Sequence, residues 1–207
     1  MAVRPPKTMV YDPEIHHRRS VRLHGYDYSQ PGEYFLTICT YEMRMIFGRV
    51  VEGRMELNDF GRIADDEWRR SAIIRKELEL DEFTVMPNHV HGIVRIVDLN
   101  GQGARPCAPT PSREGTGPIP ARCPRSVASF VAGVKPAIKT RINQLRNSPG
   151  APVWERNYHE HIVRDGHELE ILRDYIRHNA LRWSCDRYNP DRGVLTLNEE
   201  GLLEGRK

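Results

Sequence analysis

The stretch Met86-Pro87-Asn88-His89-Val90-His91-Gly92-Ile93-Val94 decides how this chain is read. Pro87-Asn88 is turn chemistry, because proline presets φ and asparagine tolerates turn geometry. The residues after it alternate. Successive side chains on a strand point to opposite faces, so Val90, Gly92, Val94 and Ile96 share one face and form an apolar core pattern. His89 and His91 share the other face, one pleat repeat apart. Two imidazoles so placed can bind one metal ion, and a hard cation there would polarise a phosphate oxygen. Two half-buried histidines with ordinary hydrogen bonds would show the same pattern, so the rest of the chain must arbitrate. A second pair, His159 and His161, is flanked by Tyr158 and Glu160 instead of a core strand and is expected near the surface or behind the first pair.

Working outward, residues 78–86 form a second strand on the other side of the Pro87-Asn88 turn. Residues 33–40 (EYFLTICT) are rich in aromatic and β-branched types and predict a strand. Residues 45–57 predict a hairpin with Glu52-Gly53 at its turn. Asn58 or Asp59 caps a helix whose apolar positions are Phe60, Ile63, Ala64 and Trp68. Val127, Val131, Val134, Ile138, Ile142 and Leu145 recur at helical spacing and predict a helix over 126–147, with a kink or restart at Pro136. Residues 153–164 read as a short strand and 167–183 as a last helix. Strands interleaved with helices, with an early hairpin, predict an α+β sandwich around a mainly antiparallel sheet. Residues 1–28 read as a basic arm, 29–183 as the folded domain, 98–125 as a Pro/Gly-rich insert and 184–207 as a tail.

The 207 residues suffice for one domain with a core, and 39% hydrophobic residues exclude a disordered composition. No apolar run is long enough to span a bilayer, and the start of the chain lacks a signal peptide's apolar stretch, so a cytoplasmic protein without a membrane partner is expected. Cys39, Cys107, Cys123 and Cys185 form no CxxC pair and fit a reducing compartment. The net charge of +3 says little, but its distribution says more. No acidic residue lies between Arg122 and Val153, a stretch holding Lys135, Lys139, Arg141 and Arg146. Such a block is either an electrostatic footprint for phosphate or a solvated helix face.

In the last helix Leu169, Leu172, Ile176, Ala180 and Trp183 form the apolar stripe, with Tyr175 at its edge. Asn179, four residues on, lies above Tyr175 on the same side. Packed on the sheet, this helix would deliver a phenol and a carboxamide oxygen to its surface together. The phenol could attack a phosphate, and the amide could complete a metal shell.

These segments in this order resemble the single-tyrosine transposases of the His-hydrophobic-His (HUH) superfamily, and closely the REP-associated tyrosine transposases of bacteria. The resemblance covers most of residues 19–183. It is carried by RSVRLHGYDYSQPGEYFLTICT at 19–40, LNDFGRIADDEW at 57–68, MPNHVHGIV at 86–94, SFVAGVKPAIKTRI at 129–142, VWERNYHEHIVRD at 153–165 and LRDYIRHNALRW at 172–183. It implies a ferredoxin-like α+β fold, His89 and His91 as metal ligands, Tyr175 as nucleophile and Asn179 as third ligand. Two imidazoles alone would suit zinc or another transition metal; the resemblance implies Mg²⁺ or Mn²⁺.

The chemistry so implied is cleavage of single-stranded or hairpin DNA through a 5′-phosphotyrosine intermediate, as in DNA transposition, by a monomer or homodimer. Arg18, Arg19 and Arg22 of the arm, with Lys135, Lys139 and Arg146, are candidate phosphate contacts. Two other readings compete. A ferredoxin-like sheet also serves RNA-binding modules, but those present aromatics where this strand carries His89, His91 and Arg95. A sequence-specific DNA-binding descendant that no longer moves DNA would keep the fold without the reaction.

Overall fold

A computed structural model of the chain describes residue 26, residues 28–98 and residues 125–192, with the backbone of two short strands at 196–197 and 203–204. Nearly all of the arm, with Arg18, Arg19 and Arg22, lies outside the described residues, as do most of the insert and the end of the tail.

The strands are β1 (Gly32–Cys39), β2 (Gly48–Val51), β3 (Arg54–Leu57), β4 (Leu78–Met86), β5 (His89–Ile96) and β6 (His159–Ile162). The helices are α1 (Asp59–Ile74), α2 (Val127–Leu145) and α3 (Gly166–Arg177). The main sheet has the order β4-β5-β1-β6, and every neighbouring pair in it is antiparallel. With the β2–β3 hairpin set aside, the chain runs β-α-β-β-α-β, and this strand order makes it the ferredoxin-like α+β sandwich.

Both faces of the sheet are covered. Val90, Val94 and Ile96 of β5 and Leu36 and Ile38 of β1 join Ile63, Ala64 and Trp68 of α1 and Val131, Val134, Ile138 and Ile142 of α2 in one apolar core. Gly92 sits in that face because a Cβ there would lie 2.3 Å from Cζ2 of Trp68. On the opposite face Phe35 and Ile93 pack against Leu169 and Ile176 of α3. β5 is thus covered from both sides, which makes it the natural place to hold buried polar groups.

Local chemistry sets the boundaries. The Asn58 side chain accepts from Gly61 N–H at 3.0 Å and caps α1. Glu52 and Gly53 both have positive φ, 50° and 73°, as a two-residue hairpin turn requires. Ser126 and Ser129 close a reciprocal capping box at the start of α2. α2 runs unbroken through Pro136, where a kink or restart was expected; the proline lies on the exposed side. The last helix is shorter than its periodicity predicts. α3 ends at Arg177, and the chain continues through turns into a short 3-10 helix at Trp183–Cys185. The strand expected over 153–164 is confined to four residues, preceded by an isolated bridge between Thr40 and Trp154.

Candidate metal and tyrosine centre

The register builds a row of polar side chains under α3. His91 is directly opposite Thr37 of β1 and Thr84 of β4; His89 is opposite Cys39 and Met86. Thr37 in turn faces His159 of β6. Paired residues on antiparallel neighbours point to the same side, so His89, His91, Thr37, Cys39 and His159 all stand on the α3 face.

His89 and His91 are 0% and 1% exposed, and their ring centroids are 4.4 Å apart. His89 Nδ1 meets the Asn88 side-chain oxygen at 2.8 Å. The Asn88 amide is oriented by its own donors, which reach the carbonyls of Met43 (3.2 Å) and Tyr188 (2.7 Å). An amide oxygen can only accept, so Nδ1 of His89 carries the proton and Nε2 carries a lone pair. That Nε2 is buried and has no hydrogen-bond partner. His91 Nδ1 lies 2.9 Å from Thr37 Oγ1, and its Nε2 lies 3.2 Å from the Tyr175 hydroxyl. Burial holds both rings neutral. It brings His89 down to about 3, and it drives His91 well below its ordinary value, where the repulsion that two protonated rings would feel adds to the effect.

Tyr175 reaches the centre because α3 is clamped to β4. The register of β4 shifts between Leu80 and Phe83, which re-aims the two acidic residues there. Asp81 receives Nε of Arg173 at 3.0 Å and its second terminal nitrogen at 2.5 Å; Glu82 receives Arg177 at 2.6 Å. The Tyr175 ring stands 5.2 Å from the His91 ring and 6.1 Å from Phe35. Its hydroxyl is pushed above its ordinary value, first by burial and then by the Asp186 carboxylate; a hydrogen bond from Asn179 and the charge of Arg187 oppose this. Asn179 is 1% exposed, and its Oδ1 is buried without a hydrogen-bond partner. It lies beyond the end of α3, in the turn whose backbone N–H reaches Ile176 O at 3.2 Å.

The segment after the 3-10 helix carries no signal in the sequence pattern. Asp186 is buried, and its carboxylate, with His89 and His91, offers three ligand atoms all within 4.8 Å of one another. The Tyr188 ring covers His89 at 4.8 Å, with Trp183 6.1 Å away. No periodicity marks this turn; its aspartate is placed only by tertiary contacts. Two buried lone-pair atoms without partners, two neutral imidazoles and a nearby carboxylate suit a divalent metal.

The second histidine pair takes other work. His161 Nε2 bonds Glu168 at 2.8 Å at the start of α3, and His159 shares the site face with a buried, unpartnered Nδ1. Folding gives most of the basic block hydrogen-bond partners, but among its described residues only Arg141 meets carboxylates. Lys135 Nζ donates to the carbonyls of Glu155 (2.6 Å) and Arg156 (3.3 Å), and Arg146 to Asn143 Oδ1 and Pro152 O. Arg141 pairs with Glu67 at 2.8 Å across the α1–α2 interface. Lys139 lines an open groove of about 680 Å³ with Pro136, Asn143 and Asn147.

Fold and site together define a ferredoxin-like α+β protein with a buried His-His-carboxylate centre facing a tyrosine. The chain is 34% identical over 188 residues to an uncharacterized protein of Haemophilus influenzae, covering 89% of this chain and 99% of that one. It belongs to the same family as that protein. No family model matches the chain. Among solved structures it is similar to a REP-associated tyrosine transposase bound to a REP hairpin (TM-score 0.49, 14% identity, 78% of this chain and 73% of that one). It is also similar to a proposed transposase from Deinococcus radiodurans (TM-score 0.40, 20% identity, 75% of this chain and 95% of that one). Both likenesses are distant, and the functional reading rests on the geometry of the site. No helix among the described residues is long and apolar enough to cross a membrane.

Proposed function

We propose that this protein is a metal-dependent tyrosine nuclease and strand-transferase of the HUH type, acting on single-stranded or hairpin DNA in transposition. The observation that carries the reading is the approach of the Tyr175 hydroxyl to 3.2 Å from His91 Nε2, beside the unpartnered Nε2 of His89. His89 and His91 would hold the metal, with Asn179 or Asp186 completing the set. A bound Mg²⁺ or Mn²⁺ would orient the scissile phosphate and offset the charge that develops on it.

The chain's own groups do the rest. Tyr175 Oη forms a bond to phosphorus as the bond from phosphorus to the 3′ oxygen breaks. The phenol loses its proton, the departing oxygen gains one, and the 5′ end stays on the enzyme as a phosphotyrosine. A 3′-hydroxyl can reverse the step and seal a new junction, so the energy of the broken bond is conserved. A free phenol, with a pKa of about 10, is a weak nucleophile at neutral pH. Burial raises this one further, so nearby positive charge is required to bring it into range. Phosphate contacts away from the centre are assigned to Arg18, Arg19 and Arg22 of the arm and to Lys139; Lys135 and Arg146 hold backbone carbonyls instead.

The decisive experiment incubates labelled single-stranded and hairpin DNA with the protein, with and without Mn²⁺, and looks for a covalent species on a denaturing gel. The adduct is expected with wild type and absent with Tyr175→Phe, which still binds DNA. An adduct that persists in Tyr175→Phe refutes the nucleophile, and no adduct under any condition refutes the nuclease.

A further inference from the structure

The segment that brings Asp186 to the centre also brings a cation, Arg187. Its guanidinium carbon lies 4.6 Å from the centroid of the Tyr188 ring, and a terminal nitrogen donates to the Tyr188 hydroxyl at 2.5 Å. Tyr188 is the ring that covers His89. The turn is fixed at several points. Tyr188 N–H donates to Asp186 Oδ1 at 2.7 Å, Asn189 Nδ2 to Trp183 O at 3.0 Å, and Asn88 Nδ2 to Tyr188 O. The last bond ties it to the residue that orients His89.

Arg187 differs from the arginines of α3. Arg173 and Arg177 are committed to Asp81 and Glu82. Among the described residues Arg187 has no carboxylate within ion-pair distance, and its side chain is exposed. It nonetheless lies close to the centre, since the Tyr188 ring it stacks on is 4.8 Å from the His89 ring. An exposed guanidinium with no carboxylate partner, held beside a buried polar centre, is placed as an arginine that binds phosphate oxygens would be.

We infer that Arg187 forms an anion subsite for a phosphodiester, contacting a non-bridging oxygen of the phosphate that Tyr175 attacks; the identity of that phosphate rests on the nuclease reading. Charge balance supports this. Attack by a phenolate on a phosphodiester gathers two negative charges at one phosphorus, and Asp186 adds a third nearby. A divalent ion held by His89 and His91 would offset two of the three and leave one for Arg187. A fixed guanidinium that need not reorganise during the reaction offsets part of this charge.

The test is the salt dependence of single-stranded DNA binding, with every variant carrying Tyr175→Phe so that no strand is cut. Each phosphate contact on a single strand contributes a slope of about 0.7 in log K against log salt. Arg187→Gln is expected to reduce the slope by about that amount, and Arg187→Lys to retain it. Arg182→Gln, which removes an exposed arginine 4.0 Å from Asp174, should leave it unchanged. An unchanged slope in Arg187→Gln, or an equal loss in Arg182→Gln, overturns the assignment. With Tyr175 restored, Arg187→Gln should slow nicking on the order of 100-fold while DNA affinity falls far less. A reduced slope with no nicking by wild type would keep the anion subsite and refute the nuclease. Nicking with an unchanged slope would do the reverse.

Discussion

The side-chain oxygen of Asn88 accepts a hydrogen bond from Nδ1 of His89 at 2.8 Å, and this one contact decides which nitrogen of His89 faces the centre with a lone pair. Partners of this kind orient metal-binding histidines, and their loss typically costs 10- to 100-fold in metal affinity. Asn88→Ala is therefore expected to weaken Mn²⁺ binding by about that factor, measured by calorimetry. Unchanged affinity would mean that the His89 tautomer is set elsewhere.

Asn179 and Asp186 compete for the third ligand position. Asn179 presents an unpartnered buried oxygen, and Asp186 presents a charge within 4.8 Å of both imidazole donors. Asp186→Asn should cost more metal affinity than Asn179→Ala, since a carboxylate is the stronger ligand for Mg²⁺ or Mn²⁺. The reverse order, read by titration of each variant with Mn²⁺, would return the position to Asn179.

The clamp of Arg173 on Asp81 places Tyr175. The Arg173 side chain is 24% exposed and that of Asp81 17%, so the pair is partly shielded from solvent. Arg173→Met keeps the aliphatic stem but releases the helix. The expected result is a several-fold to 100-fold fall in covalent adduct formation, since about 1 Å of misplacement can cost that much, with metal affinity unchanged. Equal losses of both would show that the clamp supports the whole site.

Acid should destabilise the metal-free protein well above the range of carboxylates. From an unfolded value of 6.5, burial depresses His89 to about 3 and lowers His91 well below its ordinary value. The unfolded chain therefore binds more protons, and stability present above about pH 6.5 is lost as pH falls toward the folded values. Each histidine contributes a slope of about 1.4 kcal/mol per pH unit in that window. The salt-bridged Asp81, whose pKa is lowered from 3.8 in the fold, titrates only at more acid pH. Denaturant midpoints should fall between pH 6.5 and 4.5 for wild type and much less for His89→Gln/His91→Gln, in which His159, also lowered by burial, supplies the remaining dependence. A flat wild-type profile would place the rings in solvent.

Most of the architecture was legible in the chain itself, because it is written in local periodicity. The alternation in β5, the Pro87-Asn88 turn, the Glu52-Gly53 turn and the Asn58 cap depend on residues within a few positions of one another. So does the placing of His89 and His91 on one face, and of Tyr175 at the edge of the α3 stripe. The length of α3 was not legible, since the apolar stripe continues to Trp183 while the helix stops at Arg177. Neither was the fate of the basic block. Lys135, Arg141 and Arg146 are met by groups from other parts of the fold, which no charge run can foretell.

Short-range pattern thus determined which faces are apolar, where the strands turn and which residues could meet. Convergence belonged to the tertiary structure. The bulge in β4 with its two carboxylates, together with the packing of Leu169 and Ile176 on Phe35 and Ile93, brings the phenol to 3.2 Å from His91, and only the folding of the turn at 186–188 over β5 adds Asp186 and Arg187. The physical reason is that alternation and helical repeat are properties of neighbours along the chain. Burial of a lone pair, the tautomer of an imidazole and the neutralisation of a cation depend on what the fold brings in from a distance.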